Sequence, residues 1–219
     1  MIKRLATLLV VAASTMALFG GVVSAAPVIP ASKAEASIGS VNALSSKVLN
    51  HTWYGQQTGY WCGPGSAQIA IGTRRTPPSQ QTLANFMGTH TGGTDHINRI
   101  QRALNYYIGT SWFELKRMYD PPTQAQRNLL VRDLVLNVNN NFPMVANVIS
   151  GWRPPGYPGG AIYHYVAVVG YRSGGAEALI ADPAGAGHGG GGWWNVPRTY
   201  WVSTHNLGTW IGGSSGYTA

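Results

Sequence analysis

Residues 162–171 read IYHYVAVVGY, and most of this run is apolar or aromatic on both faces. A strand of that kind has no face to offer water, so it belongs in the middle of a sheet that is covered on both sides. A second short run, EALIAD, spans 177–182 with Leu179 and Ile180 at its centre. Between them, Arg172-Ser173-Gly174-Gly175 has the composition of a hairpin turn, where glycine takes the conformations that other residues resist. Pro143 to Ile149 is a third apolar run and reads as another strand.

Upstream of these strands the period is helical. Glycine and proline just after Cys62, followed by Ser66 to Ile71, predict a helix that starts at or beside the thiol. A second helix is expected over Ser79–Met87, with Leu83, Phe86 and Met87 on one side. Thr94-Asp95 would cap a third, which carries Ile97, Ile100, Leu104 and Tyr107 at helical spacing. Residues 111–119 read as extended, and 124–139 as a helix with Leu129, Leu130, Leu134 and Leu136 toward the core. Helices first and antiparallel strands afterwards make the fold class α+β. The 29 glycines have no triplet period, which excludes collagen, and recurring Val, Ile, Leu and Trp exclude wholesale disorder. At 219 residues the chain suits one domain of ordinary size.

The first 25 residues stand apart. Lys3-Arg4, an apolar run from Leu5 to Phe19, and the small-x-small site Val23-Ser24-Ala25 form the pattern of a secretory signal peptide. An uncleaved anchor would want about 20 uninterrupted apolar residues, and Ser14, Thr15 and Gly20-Gly21 break this run. Residues 26–50, rich in Ala, Ser, Val and Pro, read as a flexible leader segment, and 51–219 as the domain. The expected localisation is therefore secreted, extracellular or associated with the cell envelope. Loss of Lys3 and Arg4 lowers the formal net charge from +8 to +6. The remaining basic residues are scattered and form no stripe, so no nucleic acid is expected as partner, and no membrane after signal cleavage. The expected assembly is a monomer.

One cysteine in a chain bound for an oxidising compartment excludes an internal disulfide and a zinc site built on cysteine pairs. Cys62 is then either a small buried hydrophobe or a nucleophile. A helix N-terminus favours a thiolate, and a nucleophile further needs a base that becomes its counter-ion. Of the five histidines after it, only His164 sits in a frame that would orient an imidazole. A turn centred near Ser173-Gly174 pairs residues whose numbers sum to 346–348, which sets His164 opposite 182–184. An odd-numbered loop brings Asp182 opposite or diagonal to His164 on the same face; an even one sends it to the other face. A carboxylate there holds the imidazole in one tautomer and stabilises its charged form. Gln56, six residues before Cys62, or Gln57 at five, offers a side-chain amide that joins the Cys62 N–H in an oxyanion hole.

Q-x5-C-G-P before a small-residue helix, then HYVAVVGY and IADPAG, resembles the papain-like cysteine peptidases of the bacteriocin-leader type, also called double-glycine or family thirty-nine peptidases. The ending YWVSTHNLGTWIGGSSGY is similar to that of stand-alone secreted actinobacterial members. The resemblance covers about residues 51–182. It implies a papain-like fold, with a helical half carrying the cysteine packed on an antiparallel sheet half carrying the histidine. By the same likeness Cys62 matches the nucleophile, His164 the base, Asp182 the orienting acid and Gln56 the oxyanion donor. Cofactors and metals are not implied. Trp61 departs from the pattern, standing where leader peptidases often carry an acid, and there is no transporter domain. The substrate expected is a peptide or protein, and a cell-wall peptide amidase would use the same residues. A third reading is a catalytically inactive envelope-binding module, which predicts exposed aromatic rows and no Cys–His contact.

Other motifs do not compete. Residues 185–190, GAGHGG, fit a dinucleotide-binding pattern but lead into Gly-Gly-Trp-Trp rather than a helix. They read as a loop bordering the cleft, with Trp193 and Trp194 at its edge and His188 as a weaker alternative base. His90 and His96 flank Thr-Gly-Gly-Thr-Asp with no HExxH, so no metal site is expected. Gly212 to Gly216 matches Gly-x-Ser-x-Gly, but only three residues follow, too few for a nucleophile elbow, and it reads as a glycine-serine tail.

Overall fold

The computed structural model describes residues 45–149, 151–214 and 216–219. The expected signal peptide, and the leader segment up to residue 44, lie outside the described residues. The elements run β1 (Lys47–Val48), α1 (Cys62–Gly72), α2 (Gln80–Met87), α3 (Ile97–Ile108), β2 (Leu115–Lys116), α4 (Gln124–Asn139), β3 (Met144–Val148), β4 (His164–Arg172), β5 (Glu177–Ala181), β6 (Thr199–Ser203), α5 (Thr204–Ile211) and β7 (Tyr217–Thr218). All strand pairs are antiparallel, in the order β2-β7-β3-β4-β5-β6, with β1 also on β4. The architecture is the expected mixture of helices and antiparallel sheet.

The apolar run does what its composition demands. Eight of the nine residues of β4 are buried, because helices cover both faces of the sheet. Val166 and Val168 face a core shared with Leu130, Leu134 and Val138 of α4 and Leu207 and Ile211 of α5. Ala167 and Val169 pack on Ile69 of α1. Tyr165 joins a further core with α1, α2 and α3, where Leu83, Ile100 and Leu104 are fully buried. Helix α1 is buried from Cys62 to Ile71. Its glycines, Ser66 and alanines leave little side-chain bulk, so neighbouring backbones come close on every side.

Side chains cap α2, α4 and α5, whereas α1 and α3 start without one. Ser79 caps α2 by accepting from Thr82 N–H, and Thr123 forms a capping box with Gln126 at α4. Thr94-Asp95 does not cap α3: the N-cap is His96, without a side-chain bond. Thr94 is engaged by Thr89, and Asp95 by His90 and Arg99.

The domain also starts before residue 51. Lys47 and Val48 pair with Tyr171 and Gly170, and Leu49 is buried. The C-terminal residues likewise are structure and not a tail. β7 is inserted between β2 and β3, and Tyr217, Thr218 and Ala219 are buried. The Tyr217 hydroxyl donates to the buried Asp133 carboxylate at 3.0 Å. Gly216 makes this possible: its φ is +101°, and a Cβ there would stand 2.0 Å from the Lys116 carbonyl oxygen. Replacing Gly216 with Ala should cost about 3 kcal/mol of unfolding free energy by denaturant titration, from strained backbone plus the clash. A loss below about 1 kcal/mol would mean β7 contributes little to the fold.

Candidate active site

Cys62 is the first residue of α1, and no side chain caps that helix. Pro64 in the first turn has no N–H to leave unpaired. The first amides are therefore free to serve a ligand, and the Cys62 sulfur sits at the positive end of the helix. Two glycines let other parts of the chain close on this turn. A Cβ on Gly63 would meet Thr94 Oγ1 at 2.3 Å, and one on Gly65 would meet Pro183 Cβ at 2.7 Å and Gln56 Cβ at 3.5 Å. The helix that Cys62 opens is thus pressed directly against the residue that follows Asp182.

His164 opens β4, and the hairpin carries Asp182 to it by a route the sequence did not predict. Arg172 pairs with Glu177 and leaves a four-residue loop, an even number, and pairs near the turn sum to 349. Continued to the end of the strand, that register would put Asp182 on the face opposite His164. A β-bulge between Val168 and Gly170 inserts Val169 as an extra residue, and beyond it Val168 pairs with Ile180 and Ala167 with Ala181. Parity is restored, and Asp182 lies diagonally across from His164 on the same face.

The result is a buried chain of polar groups. His164 Nε2 and Asp182 Oδ1 are 2.8 Å apart, with His164 3% and Asp182 0% exposed. The other ring nitrogen, Nδ1, is left for the Cys62 thiol, with which His164 is hydrogen bonded. Burial works against charge on the imidazole. The Asp182 carboxylate beside it, its hydrogen bond and the Cys62 contact outweigh burial and push the His164 pKa up to about 10. Burial likewise opposes charge on Asp182, yet His164, Tyr157 and Tyr200 hold its carboxyl below the ordinary range. Asp182 Oδ1 also accepts from Ala184 N–H at 2.9 Å, and Oδ2 accepts from the Tyr157 and Tyr200 hydroxyls, the latter at 2.7 Å. Trp193 leans on the imidazole with ring centres 5.1 Å apart.

Gln56 is 3% exposed beside the first turn of α1, with its backbone N–H on the Pro183 carbonyl. Its amide nitrogen donates one hydrogen to Thr58 O at 2.8 Å, and its Oε1 is buried without a hydrogen-bond partner among the described residues. Gln57 is exposed. His188 is engaged elsewhere, with Nδ1 3.2 Å from Gln56 O and its ring edge on Trp53.

Cys62 opens on a cleft of about 450 Å³ between residues 92–96 on one side and Asn147, Tyr163 and Tyr165 on the other. His96 leads on to a second hollow of about 520 Å³, lined by Leu115, Arg117, Met118, Tyr119 and Ser214. Ser214 Oγ donates to the Asn147 carbonyl at 2.7 Å and joins the two walls. Among the described residues no group of three or more His, Cys, Asp or Glu side chains is placed to hold a metal ion.

Tyr157, Tyr200 and Asn147 escaped the reading of the sequence. Tyr200 had a signal: in TYWVS it lies opposite Ile180, and so shares a face with Asp182. Tyr157 sits among prolines and glycines in a loop, where no period marks it.

The model of the Peptidase_C39 like family matches residues 48–209. A crystal structure of a Bacillus anthracis protein described as a C39-like peptidase is similar over 80% of this chain and 96% of its own, with 12% identity and a TM-score of 0.53. The peptidase domain of Streptococcus ComA, a bi-functional ABC transporter involved in a quorum sensing pathway, aligns over 78% and 94%, with 16% identity and a TM-score of 0.44. No curated protein matches the chain.

His164 binds its proton more tightly in the folded chain than at its ordinary value of 6.5. Its contribution to stability is therefore complete below about pH 6.5 and lost as pH rises through about 10. Denaturant titrations should show the stability gap between wild type and His164→Gln widest near pH 6 and largely closed by pH 10.5. An unchanged gap would contradict the buried ion pair.

Proposed function

The chain belongs to the Peptidase_C39-like family, and on that premise we propose that it is a secreted cysteine peptidase working through Cys62, His164 and Asp182. The single observation that carries the reading is the hydrogen-bonded series from thiol to imidazole to carboxylate, closed off from water at the Asp182 end. An inactive binding module has no need of a Cys–His–Asp series set at the wall of a cleft.

In this reaction Cys62 Sγ attacks the carbonyl carbon of the scissile amide. The oxyanion receives the Cys62 N–H and the Gln56 amide, whose second hydrogen is not used by Thr58. His164 Nδ1–H gives its proton to the leaving nitrogen, so the amine departs neutral and an acyl thioester remains. Water then attacks that thioester, with His164 as base, and the acid is released. Asp182 keeps Nε2 protonated throughout, which fixes Nδ1 as the atom that exchanges protons. The open cleft running past His96 suits an extended peptide chain. A cell-wall peptide amidase would use the same atoms.

Secretion rests on the basic, apolar and small-residue pattern of residues 1–25. Mass spectrometry of protein recovered from culture medium should find Ala26 at the N-terminus; a retained Met1 would remove the signal-peptide reading.

At pH 6, alkylation of Cys62 by iodoacetamide should slow at least tenfold in His164→Ala, since the imidazolium partner is gone. Against a pool of peptides, Cys62→Ala should abolish hydrolysis. Gln56→Ala should lower kcat by about 10²-fold with little change in KM. Equal alkylation rates in wild type and His164→Ala would sink the hydrolase reading.

A further inference from the structure

The mechanism above uses one oxygen of Asp182. The other oxygen is held by two phenols that come from different parts of the chain, Tyr157 in the loop before β4 and Tyr200 on β6. We propose that Tyr157 and Tyr200 are positioning residues of the triad, which keep Asp182 ionised and its Oδ1 aimed at His164. The inference rests on the cysteine-hydrolase reading for its chemistry, although the hydrogen bonds are there whether or not the site turns over.

The arrangement of the hydroxyls carries the argument. Their oxygens are 2.9 Å apart, and both donate to Asp182 Oδ2. Two donors on one oxygen suit an anion and disfavour a neutral acid, whose own proton would compete for the same space. A carboxylate also has four places for donors, and here His164, Ala184 N–H and the two phenols occupy them. Donors on both oxygens stop the group from swinging about its Cβ–Cγ bond, so the His164 hydrogen bond keeps its direction.

The phenols are themselves held. Tyr157 packs edge-on against Trp193 and Trp210, at ring separations of 4.8 and 5.3 Å. Tyr200 is fixed by strand pairing with Ile180. Burial, followed by the Asp182 charge, pushes both phenols well above their ordinary pKa, so both stay donors wherever the enzyme works. The titratable groups facing Asp182 are His164 from β4, Tyr157 from its loop and Tyr200 from β6, with Cys62 of α1 beyond the imidazole. Arg198 accepts the Asp182 N–H through its carbonyl but lays its guanidinium over Trp53.

The test follows the His164 Nε2 resonance by NMR in protein labelled with ¹⁵N-histidine, through an acid titration, in wild type, Tyr157→Phe, Tyr200→Phe and the double variant. Loss of the Asp182 charge moves this signal. Each lost phenol should raise the acid midpoint by about one pH unit, and the pair by about two. Alkylation of Cys62 at pH 6 should fall about tenfold in the double variant. A midpoint within about 0.3 units of wild type in variants that keep their thermal stability would overturn the proposal, because a carboxylate that loses a hydrogen-bond donor must take up its proton more readily. If the double variant fails to fold, the two single variants decide by the same midpoint. A wild-type Cys62 no more reactive than in His164→Ala would defeat the hydrolase reading, and the NMR midpoint would still decide the phenols.

Discussion

A carboxylate cut off from water stays charged only where the protein supplies the hydrogen bonds that water gave it. Asp182 collects them from the start of β4, from the backbone just after β5, from β6 and from the loop ahead of β4. Its own carbonyl accepts the Trp53 indole N–H at 2.7 Å, which ties in the segment before α1 as well. The loop ahead of β4, the start of β4, the end of β5 and β6 must be in place together for this one charge to be tolerated. The position of the imidazole, and through it the orientation of the thiol's partner, is a consequence of that requirement.

The site lies where two kinds of packing meet. On one side a helix poor in side-chain bulk comes close enough for Pro183 and Gln56 to sit on its first turn. On the other, a strand buried on both faces supplies a rigid edge from which His164 projects. A bulky residue at Gly65 would push the cysteine's helix away from the aspartate's strand, so the spacing of Cys62 from the His164–Asp182 pair is set by what that position lacks. Rigidity of this sort is what the proposed nucleophile would need to be aligned in advance.

The sequence reveals elements with one strong period and hides those without. The helix over 124–139 and the strands at 144–148 and 177–181 follow from apolar spacing and turn residues. The stretch after residue 198 packs β6, α5 and β7 into short pieces, each too brief for a period to emerge. Cys62, His164 and Asp182 could be singled out because few residues of their types exist and a hairpin relates two of them. Their meeting nevertheless depends on the bulge at Val169: a four-residue turn taken alone points Asp182 the wrong way. A bulge has no residue signature of its own, since it is a compromise among three neighbouring strands. Tyr157 was hidden for a related reason, because a loop's reach is set by the surfaces it crosses.

The insertion of β7 between β2 and β3 imposes an order on assembly. A chain that leaves the ribosome or a translocation pore N-terminus first can pair β3 with β4 and β5 as soon as those strands emerge, but β2 has no neighbour until residues 217–218 arrive. Until then the edge of β3 stands open, and the wall that Ser214 builds against Asn147 is missing. The cleft beside the thiol thus waits on Ser214 and β7, and a chain cut short of them is denied that wall however early Cys62, His164 and Asp182 come together.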